Sequence, residues 1–516
     1  MTAAVTTSHR PVDGEKRRTP AVITLLVLAT FVVILNETIM LNAIPNLMDS
    51  FGVTEHAAQW VSTAFMLTMA SVIPVTGWFL QRVTTRTAYA TAMAVFIAGT
   101  LISAIAPVFG ILLAGRVIQA AGTAVMMPLL MTTLMTVVDE HDRGRVMGNV
   151  TMAISVAPAL GPTISGLILG FGSWRLLFLL VLPIAIGVAW SGLRRLENVG
   201  ETSESTVDWA SVVIAALGFG SLVYGLSRFA EGEVGRPVVI AAVGAVLIVG
   251  FVFRQLHLQR VGTPLLDLRA FQHSTFTKAL VLMAIAFLAM MGSMILLPLY
   301  LQTVRGLSPL MTGLLVMPGG LAMGLLGPTV GRIFDTYGGR VLVIPGSVGI
   351  VVALAGLSQI SLTTPYLLVL VLHLVLMVSL AAAFTPVFTL GLGSLPSHLY
   401  SHGSSILGTL QQVAAAFGTA LAVTVMSVRS DQVIDEVGAV AAQVSGLQAA
   451  FMVSAALALI VVVMAVLLPA RAEGYGESDE ESAESAEDSA ADPDGDIDAE
   501  LAELCEHGRE PAVCGC

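Results

Sequence analysis

Long apolar runs dominate this sequence and restrict the folds that are open to it. A helix needs about 20 apolar residues to cross the hydrocarbon core of a bilayer. Fourteen runs meet that length, at 21–44, 57–80, 88–107, 110–137, 147–170, 174–193, 209–228, 237–254, 279–301, 308–330, 340–360, 365–388, 404–427 and 448–469. Only 11% of the 516 residues are charged, whereas soluble domains carry about 25%. The sequence therefore predicts an all-α integral membrane protein with fourteen transmembrane helices.

The basic residues predict how these helices are oriented. Cytoplasmic loops of membrane proteins carry an excess of Lys and Arg. With the N-terminus inside, the fourteen spans place 18 of the 24 basic residues in inner segments and 5 in outer ones. The remaining one, Arg116, falls within the fourth span. We therefore expect a multi-pass protein of the cell membrane with both termini in the cytoplasm.

The net charge of −11 comes from the C-terminal tail, since residues 470–516 hold 16 acids and 2 arginines. A segment with so few apolar residues cannot bury a core, so we expect it to be disordered. All three cysteines, Cys505, Cys514 and Cys516, lie there with His507 nearby. Thiols and an imidazole can bind zinc. Because the spacing matches no zinc fold known to us, we favour an unstructured end and expect no metal.

Two similar loops follow the second and the tenth spans. The first contains Gly77, Gln81, Arg82 and Arg86, and the second contains Gly331, Asp335, Gly338 and Arg340. We expect both to act as cytoplasmic gating loops, with the second loop's carboxylate at the positive N-terminus of the next helix. The alternative is that any short inner loop is rich in Gly and Arg.

The loop repeat predicts two six-helix halves with the seventh and eighth spans inserted between them. The expected layout is a cytoplasmic segment at 1–20, a bundle at 21–193, an inserted helix pair at 194–275, a second bundle at 276–469 and the tail at 470–516.

Glu37 is the acid that this layout places at membrane depth. An ionisable side chain there is costly, so it indicates a functional site. The alternative is that Glu37 only caps the outer end of its helix and reaches water. We favour the functional interpretation because Asn42 and Ile44 continue the span beyond it.

Arg116 is expected to lie at a similar depth. It is about 9 Å from the outer end of the fourth span, while Glu37 is about 25 Å from the inner end of a core about 30 Å thick. The two side chains are therefore predicted to pair. Because pairing and burial act on the Glu37 carboxylate in opposite directions, we expect Glu37 to take up and release a proton as its surroundings change. Gln119 lies on the same helix face as Arg116. His373 in the twelfth span is a second titratable candidate, although we favour a histidine that is simply hydrogen-bonded inside the bundle.

The fifth span carries small residues at every fourth position, namely Ala157, Gly161 and Ser165. Such a stripe lets another helix approach closely. Pro158 and Pro162 each remove an amide donor and should bend the helix. A close, bent contact there could keep the site closed to one side, although ordinary packing is the alternative.

With these motifs in order, the sequence resembles the major facilitator superfamily, in its fourteen-helix drug–proton antiporter branch and most closely the lincomycin-resistance (LmrB-like) type. The first-span run Leu35-Asn36-Glu37-Thr38-Ile39 and the loops are similar to its motifs. Two further runs also resemble motifs of this family. They are Arg116-x-x-Gln119-Ala-x-Gly122 in the fourth span and Gly148-x8-Ala157-x3-Gly161-Pro162-x2-Ser165-Gly166 in the fifth. The resemblance implies the major facilitator fold and an antiporter role for the fifth-span motif.

Three positions depart from the family pattern. Asn36 stands where the family usually has Asp, and the carboxylate has moved to Glu37. On a helix this turns it by about 100°, so its partner cannot be taken from the family. Gln81 stands where the first loop usually has Asp. Ala157 and Ser165 replace two glycines but remain small.

The energy source is expected to be an ion gradient, since the sequence contains no G-x-x-x-x-G-K-[ST] phosphate loop. We predict proton-coupled efflux of apolar or cationic amphiphiles by a protein that is not an enzyme. It should need no cofactor, bind no nucleic acid and act as a monomer in the lipid bilayer. The substrate pathway is expected to include Asn36, Thr38, Asn42, Gln119 and Met127. The alternatives are an exporter of lipids or cell-envelope intermediates, and a non-transporting sensor that signals through the tail.

Overall fold

Residues 15–40, 43–199, 207–230, 235–261 and 264–471 are described by the structure, which is a computed structural model. Fourteen helices of membrane-spanning length occur within these ranges, as the sequence predicts. They are α1 Glu15–Ile39, α2 Glu55–Arg82, α3 Thr85–Ala104, α4 Phe109–Val137, α5 Arg143–Leu169, α6 Arg175–Arg195, α7 Trp209–Ala230, α8 Arg236–Val261, α9 Ser274–Leu299, α10 Pro309–Tyr337, α11 Arg340–Leu357, α12 Tyr366–Gly393, α13 Tyr400–Val437 and α14 Ala439–Leu467. Asn42 and the acidic tail with its cysteines and His507 lie outside the described residues.

Local sequence explains where several helices begin and end. The hydroxyls of Thr54, Thr84 and Ser308 accept hydrogen bonds from the backbone amides of the first turns of α2, α3 and α10. Such caps satisfy amides that have no partner inside the helix. At the other ends, Gly338 stops α10 at φ +79° and Gly438 stops α13 at φ +80°. These are conformations that favour glycine.

The neighbours of α1–α6 are repeated by α9–α14. Helix α4 packs on α1, α2 and α3, and its counterpart α12 packs on α9, α10 and α11. The two sets meet through α5 on α10 and α2 on α13. Helices α7 and α8 pack on each other, and α7 also packs on both α2 and α13.

Two sets of hydrogen bonds hold the α7–α8 pair at one end, one between charged side chains and one around a buried amide. Arg254 donates through Nε and Nη2 to the two carboxylate oxygens of Asp208, at 2.7 and 2.9 Å. This guanidinium holds the pKa of the Asp208 carboxyl well below its usual range. The neighbouring Gln255 is fully buried and accepts from the amides of Leu265 and Leu266 at 2.8 and 3.1 Å. The pair is thereby fixed to the segment that leads into α9.

Candidate functional site

Arg116 lies at the centre of a buried polar network in α4. Only 1% of its surface is exposed. Its Nη1 donates to Asn36 Oδ1 at 3.1 Å and to Gln119 Oε1 at 2.7 Å. Its Nε donates to the Val61 carbonyl of α2 at 3.3 Å, and its guanidinium lies 4.1 Å from the centre of the Phe65 ring. The charge is therefore satisfied by neutral groups from three helices.

Gln119 extends the network to α3. It is fully buried, one helical turn after Arg116, and its Nε2 donates to Thr100 Oγ1 at 2.7 Å. The amide is thus oriented at both ends, which keeps its oxygen directed at the guanidinium. On the other side, Asn36 is fully buried and its Nδ2 has no hydrogen-bond partner among the described residues.

Glu37 does not form the direct ion pair with Arg116 that the similar depths predicted. Within the described residues, no salt bridge of 4.0 Å or less joins them, although the two charges attract each other. Asn36 occupies the contact instead, because the next residue along a helix points about 100° away. Glu37 is only partly buried.

Helix α1 also ends earlier than expected, at Ile39, so Glu37 lies in its last turn. The chain beyond it stays inside the protein. Met40, Ala43 and Leu47 are fully buried. The short helix Ile44–Phe51 ends against Trp174, where the ring centres of Phe51 and Trp174 are 5.3 Å apart. Glu37 is therefore covered by protein on the side where the first span was expected to continue.

The small residues of α5 face two different neighbours. A methyl group added at Gly161 would overlap Thr38 of α1, so this glycine lets α1 approach. Ala157 and Ser165 are fully buried on the same helix. The central glycine of the expected stripe therefore packs on α1, within the first six helices. Gly166 has open space around it, and the side chain of Pro162 lies outside the description.

A second row of small residues on α5 makes the contact with α10. An added methyl group at Gly144 would overlap the Gly331 carbonyl, and one at Gly148 would overlap the Gly327 carbonyl. Further along, a methyl group at Gly320 would lie 3.0 Å from Ala159 Cβ. Backbone thus packs directly on backbone over about two helical turns, from Gly144 to Met152, and small side chains continue the close contact as far as Ala159.

The end of the bundle that carries Arg82, Arg143, Arg145, Arg332 and Arg340 is here called the arginine-rich end. Asp335 closes it by accepting from the amides of Gly144 and Arg145, at 2.8 and 2.7 Å. A carboxylate is favoured at a helix N-terminus. The helix is α5 of the other half, so the expectation that Asp335 would sit at the start of the next helix, α11, was wrong.

The first gating loop makes the matching contact between α2 and α13. Gln81 Nε2 donates to the His398 carbonyl at 2.8 Å, and Gly77 packs against His402. The hydroxyls of Thr76 and Ser405 are 2.8 Å apart, and those of Thr132 and Ser404 are 3.0 Å apart. These hydroxyl pairs were not predicted from the sequence, although the repeat aligns Gln81 with Asp335.

The loop arginines do not form one cluster. Arg82 is exposed, the backbone amide of Arg86 donates to Asn198 Oδ1 at 3.3 Å, and Arg340 donates to the Leu468 carbonyl at 2.9 Å.

Met127 of α4, which was expected in the substrate pathway, is partly buried, while its neighbours Met126, Met131 and Met135 are core residues.

At the opposite end of the bundle, α5 and α10 separate. Continuing the spacing of the interface beyond Ala159 leads to Thr163, Gly166 and Gly170, which are all exposed. On α10 it leads to Gly313, where an added methyl group would meet no heavy atom within 4 Å. Helices α5 and α10 are therefore in contact at the arginine-rich end and apart at the other end.

Comparison with known proteins identifies the family of this chain. The model of the Major Facilitator Superfamily matches residues 26–419. The lincomycin resistance protein LmrB of Listeria monocytogenes is 39% identical over 416 residues, which are 80% of this chain and 88% of that protein. The multidrug resistance protein B homolog of Mycobacterium tuberculosis is 30% identical over 403 residues, 77% of this chain and 74% of that protein.

Among solved structures, the human organic anion transporter MFSD10 matches with a TM-score of 0.65 at 15% identity. The match covers 87% of this chain and 99% of that one. At this identity the likeness speaks for the fold alone. The family model and the sequence relatives carry the assignment, and the chain belongs to the major facilitator superfamily and is a multi-pass membrane transporter, not an enzyme.

Proposed function

We propose that this protein exports apolar or cationic amphiphilic small molecules from the cytoplasm in exchange for protons, by alternating access. The arginine-rich end would then face the cytoplasm, as the excess of basic residues there indicates. The structure would correspond to the state that opens outward. The names of its relatives suggest that lincosamides and other antibiotics belong among the substrates to be tested.

The observation that carries this proposal is the arrangement of Glu37 and Arg116. The guanidinium donates to neutral groups through Nε and Nη1, and no salt bridge among the described residues joins it to Glu37, so the carboxylate of Glu37 remains free to bind a proton or a cation. A proton on Glu37 removes its attraction for Arg116 and for a cationic substrate. Proton and substrate then compete for one carboxylate, and each weakens the binding of the other.

Transport by the purified protein in proteoliposomes tests the proposal. With an imposed proton gradient, we expect the parent protein to accumulate a drug against its concentration gradient and to release protons when the drug binds. Glu37→Gln should insert normally and lose both activities. Asp49→Asn, which removes an exposed acid of the short helix after α1, is the control and should retain them. Gradient-driven transport by Glu37→Gln at the parent rate would disprove the coupling role.

Export of lipids or cell-envelope intermediates is the second candidate, and one feature favours it. Beyond the interface, Leu167 and Phe171 of the α5 end are 67% and 78% exposed. These apolar side chains lie at the end of α5 that is separated from α10, where a lipid tail could enter from the side. Export of fluorescent lipid analogues by the same proteoliposomes, with no proton release on adding drugs, would support this alternative.

A further inference from the structure

His373 of α12 is a buried histidine that the mechanism above does not use. Only 3% of its surface is exposed, and neither ring nitrogen has a hydrogen-bond partner among the described residues. The sequence favoured a histidine satisfied inside the bundle, and the structure contradicts that expectation. Leaving buried polar groups unpaired costs about 1–3 kcal/mol each, so an unpaired imidazole calls for a reason.

The position of His373 repeats that of Arg116 in the other half. Helix α12 is the counterpart of α4, and each residue lies seven positions after the first residue of its helix. Arg116 contacts Phe65, ten positions into α2, and His373 contacts Gly319, ten positions into α10. Each also faces a valine carbonyl. Arg116 donates to that of Val61, whereas His373 faces that of Val316 without forming a full hydrogen bond.

Gly319 connects His373 to the contact between the halves. A methyl group at Gly319 would overlap the imidazole, and one at Gly320 would lie 3.0 Å from Ala159 Cβ of α5. Pro318 precedes both glycines and removes a backbone hydrogen bond from α10. The ring therefore packs behind a weakened segment of α10, at the last contact before α5 and α10 separate.

No counter-charge is available to a protonated His373 in this conformation. Five helices pack on α12, and the interior of each contains no ionisable residue. These interiors are 279–299 of α9, 309–331 of α10, 341–357 of α11, 146–169 of α5 and 403–428 of α13. On α12 itself the other ionisable residue is Tyr366, about 10 Å away along the helix, where its ring packs under Arg305. A proton on the ring would therefore have no charged partner in these ranges.

We propose that His373 is a second proton-binding position of this transporter, and that its protonation favours the conformation in which the halves separate at the arginine-rich end. When α10 moves away from α5, its segment at Pro318–Gly320 can shift on His373. The imidazolium can then donate to the Val316 carbonyl, which has a second lone pair available. This inference extends the proton coupling proposed above, with a role for the second half that Glu37 does not provide.

The test measures conformation instead of transport. The tail cysteines Cys505, Cys514 and Cys516 are replaced by Ser, and spin labels are attached at Asp139→Cys and Tyr337→Cys, two exposed positions at the arginine-rich end. Their distance distribution is recorded by pulsed electron paramagnetic resonance in lipid nanodiscs between about pH 8 and about pH 5, where histidine titrates. All samples carry Glu37→Gln and Asp335→Asn, so that neither Glu37 nor the carboxyl that closes the arginine-rich end can contribute.

We expect acidification to increase the long-distance population. If the open conformation binds the proton ten times more tightly, its ratio to the closed one rises by up to about tenfold. His373→Gln and His373→Asn should each remove this shift, and His257→Gln, at an exposed histidine of α8, should retain it. A pH-independent distribution, or a shift that survives both His373 variants, would overturn the inference. Failure of the proposed function would appear differently, as normal gradient-driven transport by Glu37→Gln.

Discussion

Asn36, rather than Glu37, is the α1 residue that Arg116 binds directly. The sequence identifies both the acid and the arginine but not this division of roles. Similar depths in two helices say nothing about which way each side chain points, and one residue changes that direction by about 100°. The consequence is a carboxylate that can change its protonation state without breaking a hydrogen bond of the guanidinium.

Gln119 is predicted to matter because it holds Arg116 in place. Gln119→Leu removes the 2.7 Å bond to the guanidinium and leaves a buried charged donor short of a partner, which costs about 1–3 kcal/mol. We expect a lower melting temperature in detergent and at least a tenfold loss of gradient-driven transport. Thr100→Val removes only the far end of the same chain of hydrogen bonds and should show a smaller loss. Equal activity of Gln119→Leu and the parent would contradict this role.

Helix α5 has two small-residue faces with different partners. The four-residue spacing of Ala157, Gly161 and Ser165 correctly predicts a close helix contact, but spacing alone does not identify the neighbour. The structure assigns Gly161 to α1, and Gly144 and Gly148 to α10. In the sequence the second face was visible only as Gly148 of the antiporter motif.

Substitution at Gly161 tests the first of these faces. Gly161→Leu would force α1 away from α5 at Thr38, and overpacking of this kind costs about 1–3 kcal/mol. We expect normal membrane insertion with transport lost, measured in the proteoliposome assay. Gly187→Leu in α6 is the matched control, because its surroundings are open, and it should behave as the parent does. Full transport by Gly161→Leu would show that the close α1–α5 contact is dispensable.

The whole molecule is closed at one end by contacts between residues far apart in the sequence. Hydropathy predicts the fourteen helices, and the repeated loops suggest their grouping. Neither predicts that Asp335 bonds to the start of α5, 191 residues earlier. Contacts between the two halves depend on the conformation that the transporter adopts, and no local pattern records it.

Removing the Asp335 charge should therefore favour opening of the arginine-rich end. A carboxylate at a helix N-terminus contributes about 1 kcal/mol, so Asp335→Asn should raise the open-to-closed ratio about fivefold. The labels at Asp139→Cys and Tyr337→Cys measure this ratio at neutral pH. Asp431→Asn, at an exposed position near the far end of α13, should not change it. A closed distribution that Asp335→Asn leaves unaltered would mean that the backbone contact alone holds this end shut.

The backbone-to-backbone contact of α5 and α10 also limits how much work each transport cycle must do. Glycine surfaces that touch without hydrogen bonds between them can part and rejoin without leaving polar groups unsatisfied. The directional bonds that must break at this contact are chiefly the two that Asp335 accepts. One proton crossing a membrane potential of 100 mV releases about 2.3 kcal/mol. The two Asp335 bonds, worth about 1 kcal/mol at a helix N-terminus, lie within the range that a single proton can break, and the rest of the driving force is shared between the hydrogen bonds of the α2–α13 contact and the substrate.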